Sequence, residues 1–380
     1  MPKLSIVVDA KIPFIKGVLE PYADVVYLEG NRIDATTVKH ADALIVRTRT
    51  RCDATLLDGS SVRFIATATI GTDHIDTCYC DAHGIAWTNA AGCNSGSVCQ
   101  YVASVLAWLV MEKNVDLSSL TLGVVGCGHV GSKIARLGRL LKMKVLVNDP
   151  PLERLTHEGE FTSLENLLTA SDIVTLHTPL TREGCDKTFH LIGEKELAMM
   201  KSDAWLINSS RGEVVDGEAL YNTLTTRCLA GAVLDVWENE PDISADLLRE
   251  VSLGTPHIAG YSADGKATAT ALSVRALSRF FELPLNDWSP ARIPVPADPL
   301  LFQLDAAHKT DSELFSEAEM HTYNIAEDDK RLRQSLLDFE NQRGSYPVRR
   351  EFQAYTVHLR NAQKEDVRLL EQLGFLVLTE

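Results

Sequence analysis

Two successive series of short, almost continuously apolar runs, with helically spaced stretches between them, constrain this chain more than any other feature. The first series is Leu4–Ala10, Val25–Glu29, Ala43–Thr48, Val62–Thr69 and Ile85–Asn89. The second is Thr121–Gly126, Lys144–Asp149, Ile173–Thr178, Ala204–Ser209, Ala232–Val236 and His257–Ala259. Gly131–Leu141, Ser163–Ala170 and Gly217–Thr225 lie between runs of the second series and have helical spacing. A strand that is apolar on both faces must be covered on both, and helices interleaved along the chain achieve this over a parallel sheet. The expected fold class is α/β: two doubly wound parallel-sheet domains of Rossmann or flavodoxin-like type, plus a small carboxy-terminal α+β domain.

Ser95–Lys113, between the two series, is apolar on most sides and reads as a buried helix joining two domains. Pro284, Pro290, Pro294, Pro296 and Pro299 then mark a stiff linker. Beyond it, Ser312–Leu337 is charged with helical spacing, and Ala354–Leu359, Gln363–Leu373 and Phe375–Leu378 read as strand, helix and strand.

The 52 acidic residues outnumber the 37 Lys and Arg, for a formal net charge of -15. Nucleic acid and anionic lipid both require clustered positive charge, so neither is an expected partner. The eight cysteines include no C-x-x-C pair, which leaves no zinc motif, and they are too sparse for a disulfide scaffold. Reduced thiols in a cytoplasmic protein are the simpler expectation. The amino terminus reads as a first strand rather than a signal peptide, and the longest apolar run, Tyr101 to Met111, is too short for a bilayer.

Gly126-Cys127-Gly128-His129-Val130-Gly131 follows the run Thr121–Val125 directly and opens a helical stretch. In a G-x-G-x-x-G the first glycine permits the tight turn, the second lets the backbone approach a pyrophosphate, and the third lets helix and strand pack closely. The helix amino terminus then faces the phosphates with partial positive charge. The bare pattern is common, but here Asp149 ends the next strand 18 residues after Gly131. A carboxylate there accepts hydrogen bonds from the adenosine ribose and repels a 2′-phosphate, so the expected cofactor is NAD rather than NADP.

Three further segments close strands of the second series: Asn208-Ser209-Ser210-Arg211-Gly212, Leu234-Asp235-Val236-Trp237-Glu238-Asn239-Glu240-Pro241 and Thr255-Pro256-His257-Ile258-Ala259-Gly260-Tyr261. Loops at the carboxyl ends of such strands line the ligand crevice. Arg211 can grip a substrate carboxylate with two hydrogen bonds. His257 can take a hydroxyl proton while hydride leaves the same carbon, and Glu240 can orient the imidazole and stabilise its cation. A lone Arg or His in a loop is ordinary; all three at successive strand ends beside a dinucleotide fingerprint suit oxidation of a 2-hydroxy acid, with no metal needed.

With Gly71-Thr72-Asp73-His74-Ile75-Asp76 and His177-Thr178-Pro179-Leu180, these segments resemble the D-isomer-specific 2-hydroxyacid dehydrogenase family over about residues 1–290. The resemblance implies Arg211, Glu240 and His257 as catalytic residues, and Thr178, Ser209, Asp235 and Gly260 as further cofactor-lining positions. It also implies a substrate-binding domain of residues 1–95 and 268–288, interrupted by an NAD-binding domain of residues 96–267, with catalysis in the cleft between them. Residues 289–380 would form a dimerisation domain, so a homodimer is expected. Many members carry Glu near the start of the linking helix, after an Asn-x-x-x-Val-Ala stretch, where this chain has Gln100, which leaves the pairing of that helix surface unpredictable.

Arg47-Thr48-Arg49-Thr50-Arg51 ends the run Ala43–Val46. A cationic, hydroxyl-bearing loop in an acidic protein suggests a small phosphorylated 2-hydroxy acid as substrate, although a solvated edge is the plainer reading of the same residues. Arg47 and Arg51 are candidates from charge alone. Resemblance to a branch of the family with a Tyr after the His-Ile-Ala-Gly stretch implies Thr48, Thr69 and Tyr261 as substrate contacts. Other phosphorylated or plain D-2-hydroxy acids, such as 3-phosphoglycerate, stay open as substrates, as does an NAD-sensing corepressor that keeps the same three residues without turnover.

Overall fold

A computed structural model of the chain describes residues 3–157 and 159–379. It comprises two compact units, Met1–Asn94 with Ala263–Pro294, and Ser95–Ser262 with Val295–Glu380. Among the described residues no helix is long and apolar enough to cross a membrane.

The first unit holds a parallel sheet of β1 (Leu4–Asp9), β2 (Ala23–Leu28), β3 (Ala43–Val46), β4 (Phe64–Thr67) and β5 (Ala86–Asn89), in the order β2-β1-β3-β4-β5. All four residues of β3 and of β4 are buried, which accounts for their continuous apolarity. The strand order reverses between β1 and β3, so the crevice of this sheet opens where Asp9 ends β1 and Arg47 follows β3. The helix Ala263–Phe280 returns to this unit and buries Val274 and Leu277 against Ile6, Val8 and Ile45.

The second unit holds a six-stranded parallel sheet of β6 (Thr121–Val125), β7 (Lys144–Asn148), β8 (Ile173–Leu176), β9 (Trp205–Asn208), β10 (Gly231–Leu234) and β11 (Leu253–Gly254). Its order, β11-β10-β9-β8-β6-β7, reverses at β6, the strand that feeds the glycine loop. Helix Ser95–Lys113 has the bounds the sequence predicts, and thirteen of its nineteen residues are buried. Such burial exceeds what one sheet face supplies. The remainder comes from the carboxy-terminal segment, whose helix Asp311–Thr322 packs against it.

That segment adds a third parallel sheet of β12 (Leu301–Asp305), β13 (Thr356–Arg360) and β14 (Leu376–Thr379). The fold class is therefore the expected one, with three local corrections. Strand β12 has no counterpart in the sequence pattern, because the prolines around it mask a five-residue run. Ser312–Leu337 is not one helix: Asp311–Thr322 ends at Tyr323, and Asn324 caps a new helix, Ile325–Gln334, by accepting from the Ala326 amide. His257–Ala259 is not a strand either. β11 stops at Gly254, and the amides of 257–259 turn inward to Asp235 rather than to a neighbouring strand.

Candidate active site

Arg211, Glu240 and His257 line one open pocket of about 490 Å³, together with Arg182, Phe189, Gly212, Glu213, Trp237, Glu238 and Asn239. The three side chains predicted from separate strand ends are thus brought together. The His257 Nδ1 lies 2.7 Å from Glu240 Oε2. A carboxylate only accepts, so the ring proton sits on Nδ1 and Nε2 is left as the basic nitrogen. The other Glu240 oxygen accepts the Trp237 amide at 2.9 Å, which fixes the carboxylate before it meets the ring. The Arg211 Nη1 donates to the Ser210 carbonyl at 2.7 Å, turning the guanidinium back along its own loop.

Gly212 explains how that loop reaches the next one. A Cβ on Gly212 would lie 2.0 Å from the carbonyl carbon and oxygen of Trp237, so only glycine lets the Arg211 turn touch the Trp237–Glu240 loop. Glu238 braces the same loop from outside, taking His190 Nε2 at 2.7 Å and the Gly217 amide at 3.0 Å.

The Thr255–Ala259 turn hangs on Asp235. Its carboxylate, 1% exposed, accepts the Thr255 hydroxyl at 2.7 Å and the amides of Ile258 and Ala259 at 2.7 and 2.9 Å. Burial pushes this carboxyl above its usual range, against the pull of His257 and of those donors. His257 itself has a φ of 56°, a left-handed conformation that a non-glycine residue keeps only where its surroundings enforce it. Asp235, expected to line the cofactor, also anchors the turn that carries His257.

The glycine loop is shaped for a dinucleotide. Gly126 has a φ of 86°, and a Cβ there would lie 2.6 Å from the His177 carbonyl. A Cβ on Gly131 would lie 1.9 Å from the Gly126 carbonyl, whereas on Gly128 it would meet nothing within 4 Å. So the outer glycines close the turn and the middle one leaves open space over the backbone. His129 is exposed beside it, and Val130 leads into the helix Gly131–Leu140. The Asp149 carboxylate accepts the Cys127 amide at 2.7 Å and the Leu152 amide at 3.0 Å, tying the end of β7 to the loop while lone pairs remain for ribose hydroxyls. The hydroxyls of Thr178 and Ser209 are buried without a hydrogen-bond partner among the described residues. Buried hydroxyls are normally satisfied, so these two donors fit NAD.

Of the residues predicted to meet substrate, Tyr261 packs edge-on to Tyr346 with ring centroids 6.1 Å apart. Arg47, Thr48, Arg51 and Thr69 belong to the first unit. Thr48 is exposed just past β3. Arg47 donates from Nε to the fully buried Asp9 at 3.1 Å. Arg51 pairs with Asp53 at 2.9 Å and is mostly exposed, a pairing that contributes little to stability. The Thr69 hydroxyl shares a 2.7 Å hydrogen bond with Thr67, whose hydroxyl lies 3.0 Å from His74 Nε2. Gln100 donates to the Thr322 hydroxyl at 3.2 Å and to the Arg350 carbonyl at 3.0 Å, so the amide in place of the usual Glu serves the carboxy-terminal segment.

Residues 106–259 match the family described as D-isomer specific 2-hydroxyacid dehydrogenase, NAD binding domain. Residues 297–374 match a domain of unknown function. The erythronate-4-phosphate dehydrogenase of Bacteroides fragilis is 46% identical over 355 residues, which cover 93% of this chain and 99% of that one. The enzyme of the same name from Porphyromonas gingivalis is 38% identical over 378 residues, covering 98% of this chain and all of its own. D-Lactate dehydrogenase from Aquifex aeolicus, solved with NAD and lactic acid, is similar with a TM-score of 0.60 at 28% identity, over 73% of this chain and 95% of that one.

Two outcomes follow from this geometry. Gly212→Ala should lower kcat about 100-fold, by displacing Arg211, with NADH affinity held within about threefold; steady-state kinetics and fluorescence titration check both. His177, at the end of β8, is pushed down to about 3 by burial, from an ordinary 6.5. As pH falls through 6.5 the unfolded chain takes up a proton that the folded ring refuses. Stability at this group is therefore untouched above 6.5 and declines from there towards pH 3. Between pH 7 and 4, the urea midpoint of His177→Asn should fall less than that of the unaltered chain.

Proposed function

The chain belongs to the D-isomer-specific 2-hydroxyacid dehydrogenase family and is an NAD-dependent dehydrogenase, and from that premise we propose that it oxidises 4-phospho-D-erythronate to (R)-3-hydroxy-2-oxo-4-phosphooxybutanoate, a step towards pyridoxal 5′-phosphate. The observation that carries this reading is the 2.7 Å His257–Glu240 pair sharing a pocket with Arg211, in a chain that is similar over 93 to 98% of its length to erythronate-4-phosphate dehydrogenases.

Arg211 holds the substrate carboxylate and draws electron density from the carbon beside it. The His257 Nε2 accepts the proton of the C2 hydroxyl. As the C–O double bond forms, the C2 hydrogen departs with its electron pair. Glu240 keeps Nδ1 protonated and stabilises the imidazolium that results. NAD, when bound, supplies the acceptor for that hydride. Gly126, Gly128, Gly131, Asp149, Thr178 and Ser209 would hold it. The reading also carries Thr48, Thr69 and Tyr261 as substrate contacts, with Arg47 and Arg51 as further donors to its phosphate.

The same reading includes a cytoplasmic homodimer. Among the described residues no disulfide joins the cysteines, which suits a reducing compartment. In the third sheet, Leu301, Leu376 and Leu378 are 58, 60 and 44% exposed. The pairing register sets all three on one face, opposite the buried Phe302, Val357 and Leu359. Exposed leucines on one sheet face suit an isologous interface.

Turnover of a panel of phosphorylated and plain 2-hydroxy acids with NAD tests the substrate. Highest kcat/KM with 4-phosphoerythronate is expected; preference for 3-phosphoglycerate would replace that substrate, and absence of turnover with any acid would favour a sensor. Arg211→Ala and His257→Gln should each lower kcat/KM roughly 100- to 10,000-fold, and activity like that of the unaltered enzyme in both would overturn the site assignment. For the interface, Leu376→Glu should shift sedimentation from dimer to monomer.

A further inference from the structure

The peptide groups that follow His257 are gripped from two sides. The amides of Ile258 and Ala259 point to the Asp235 carboxylate, as described. Their carbonyls accept from Nη2 of Arg349, a residue of the carboxy-terminal segment that is only 5% exposed. The Ser97 hydroxyl, in the first turn of helix Ser95–Lys113, donates to the Ala259 carbonyl at 2.7 Å. It accepts from the same Arg349 Nη2 and from the Ser262 amide at 3.0 Å. The Ser262 hydroxyl donates in turn to the Glu351 carboxylate at 2.7 Å. Gly96 makes room for that carboxylate, since a Cβ there would lie 2.1 Å from Glu351 Oε2.

A guanidinium this deep is costly unless something requires it. Burial works against the Arg349 cation, but Tyr346, Tyr323, Asp328 and Asp235 outweigh it and hold the group above its ordinary value. Its carbon lies 4.3 Å from the Tyr323 ring centroid. Nε and Nη1 are buried without a hydrogen-bond partner among the described residues, so the bonds to the loop are made by Nη2. An apolar side chain would fill the same volume without stranding two donors. What it could not do is hold the carbonyls of Ile258 and Ala259.

We propose that Arg349 is a positioning residue for the reaction: with Glu351, it makes the carboxy-terminal segment a brace that fixes the backbone carrying His257. This rests on the reading of His257 as the acid–base group. The left-handed backbone at His257 is held against relaxation by Asp235 on the amide side and by Arg349 on the carbonyl side. Releasing either side lets the turn swing and moves Nε2 from the hydroxyl it must deprotonate. The glycine loop that carries the cofactor shares none of these bonds. The chemical step should therefore suffer while cofactor binding does not.

The test uses the full-length enzyme with Arg349→Met, Arg349→Lys, Ser97→Ala and Glu351→Gln, and His257→Gln as the control. Arg349→Met should lower kcat about 100-fold, with the NADH dissociation constant within twofold. It should also shift the His257 imidazole signal in histidine-labelled NMR spectra, the signal being identified by its loss in His257→Gln. Arg349→Lys, which keeps a donor in reach of the carbonyls, should restore much of the lost kcat. Should Arg349→Met fail to fold, Ser97→Ala and Glu351→Gln carry the test, each expected to lower kcat several-fold and move the same signal. Unchanged kcat and an unmoved His257 signal in the folded variants would overturn the proposal. So would a loss of kcat matched by an equal loss of NADH affinity, the pattern of a general structural defect. If His257→Gln retains activity, the acid–base reading has failed; if it is inactive while the Arg349 variants are fully active, only the brace has failed.

Discussion

One buried carboxylate organises the candidate active site of this protein. Asp235 directly follows β10, and nothing charged and buried is stable without partners, so its environment is built to supply them: a hydroxyl and two backbone amides from the Thr255–Ala259 turn. The turn is thereby tied to the sheet at a point where it has no strand pairing of its own. The network runs on through Thr255, whose hydroxyl lies 2.8 Å from that of Tyr101 on the buried helix, and whose carbonyl takes the Trp237 indole at 2.9 Å. Strand end, helix and the loops that carry Glu240 and His257 share one set of hydrogen bonds, so each restrains the others.

The rest of the site relies on missing atoms as much as on side chains. Gly126 and Gly131 close the turn of the glycine loop, and Gly212 lets two loops touch, because a single Cβ at any of them would overlap a backbone carbonyl. Glycine costs chain entropy, and here that cost is confined to places where the backbone itself forms a wall of the site. Arg211 and Glu240 then reach one pocket without long, mobile side-chain spans.

Much of this was legible in the chain. Doubly covered strands such as Ala43–Val46 and Ile173–Leu176 announce themselves by unbroken apolarity, and helix Ser95–Lys113 by its length and all-round hydrophobicity. The glycine loop, Arg211, Glu240 and His257 stand in short ordered motifs whose chemistry can be argued residue by residue. Less legible was His257–Ala259, which reads as a strand because Ile258 and Ala259 are apolar; they are buried under a turn instead. Arg349 and Glu351 gave no signal at all, since charged residues in a polar tail ordinarily belong to solvent.

The sequence by itself determined the α/β class, the two larger parallel sheets, the dinucleotide loop and the three candidate side chains that meet in one pocket, because hydrophobic period, glycine placement and side-chain chemistry are local properties. Only the tertiary structure decided that Asp235 serves the turn, that Gln100 faces the tail, and that a guanidinium about ninety residues beyond His257 holds its loop. Those choices depend on which backbone carbonyls and amides are left unpaired once the sheets have formed, and no local pattern records that.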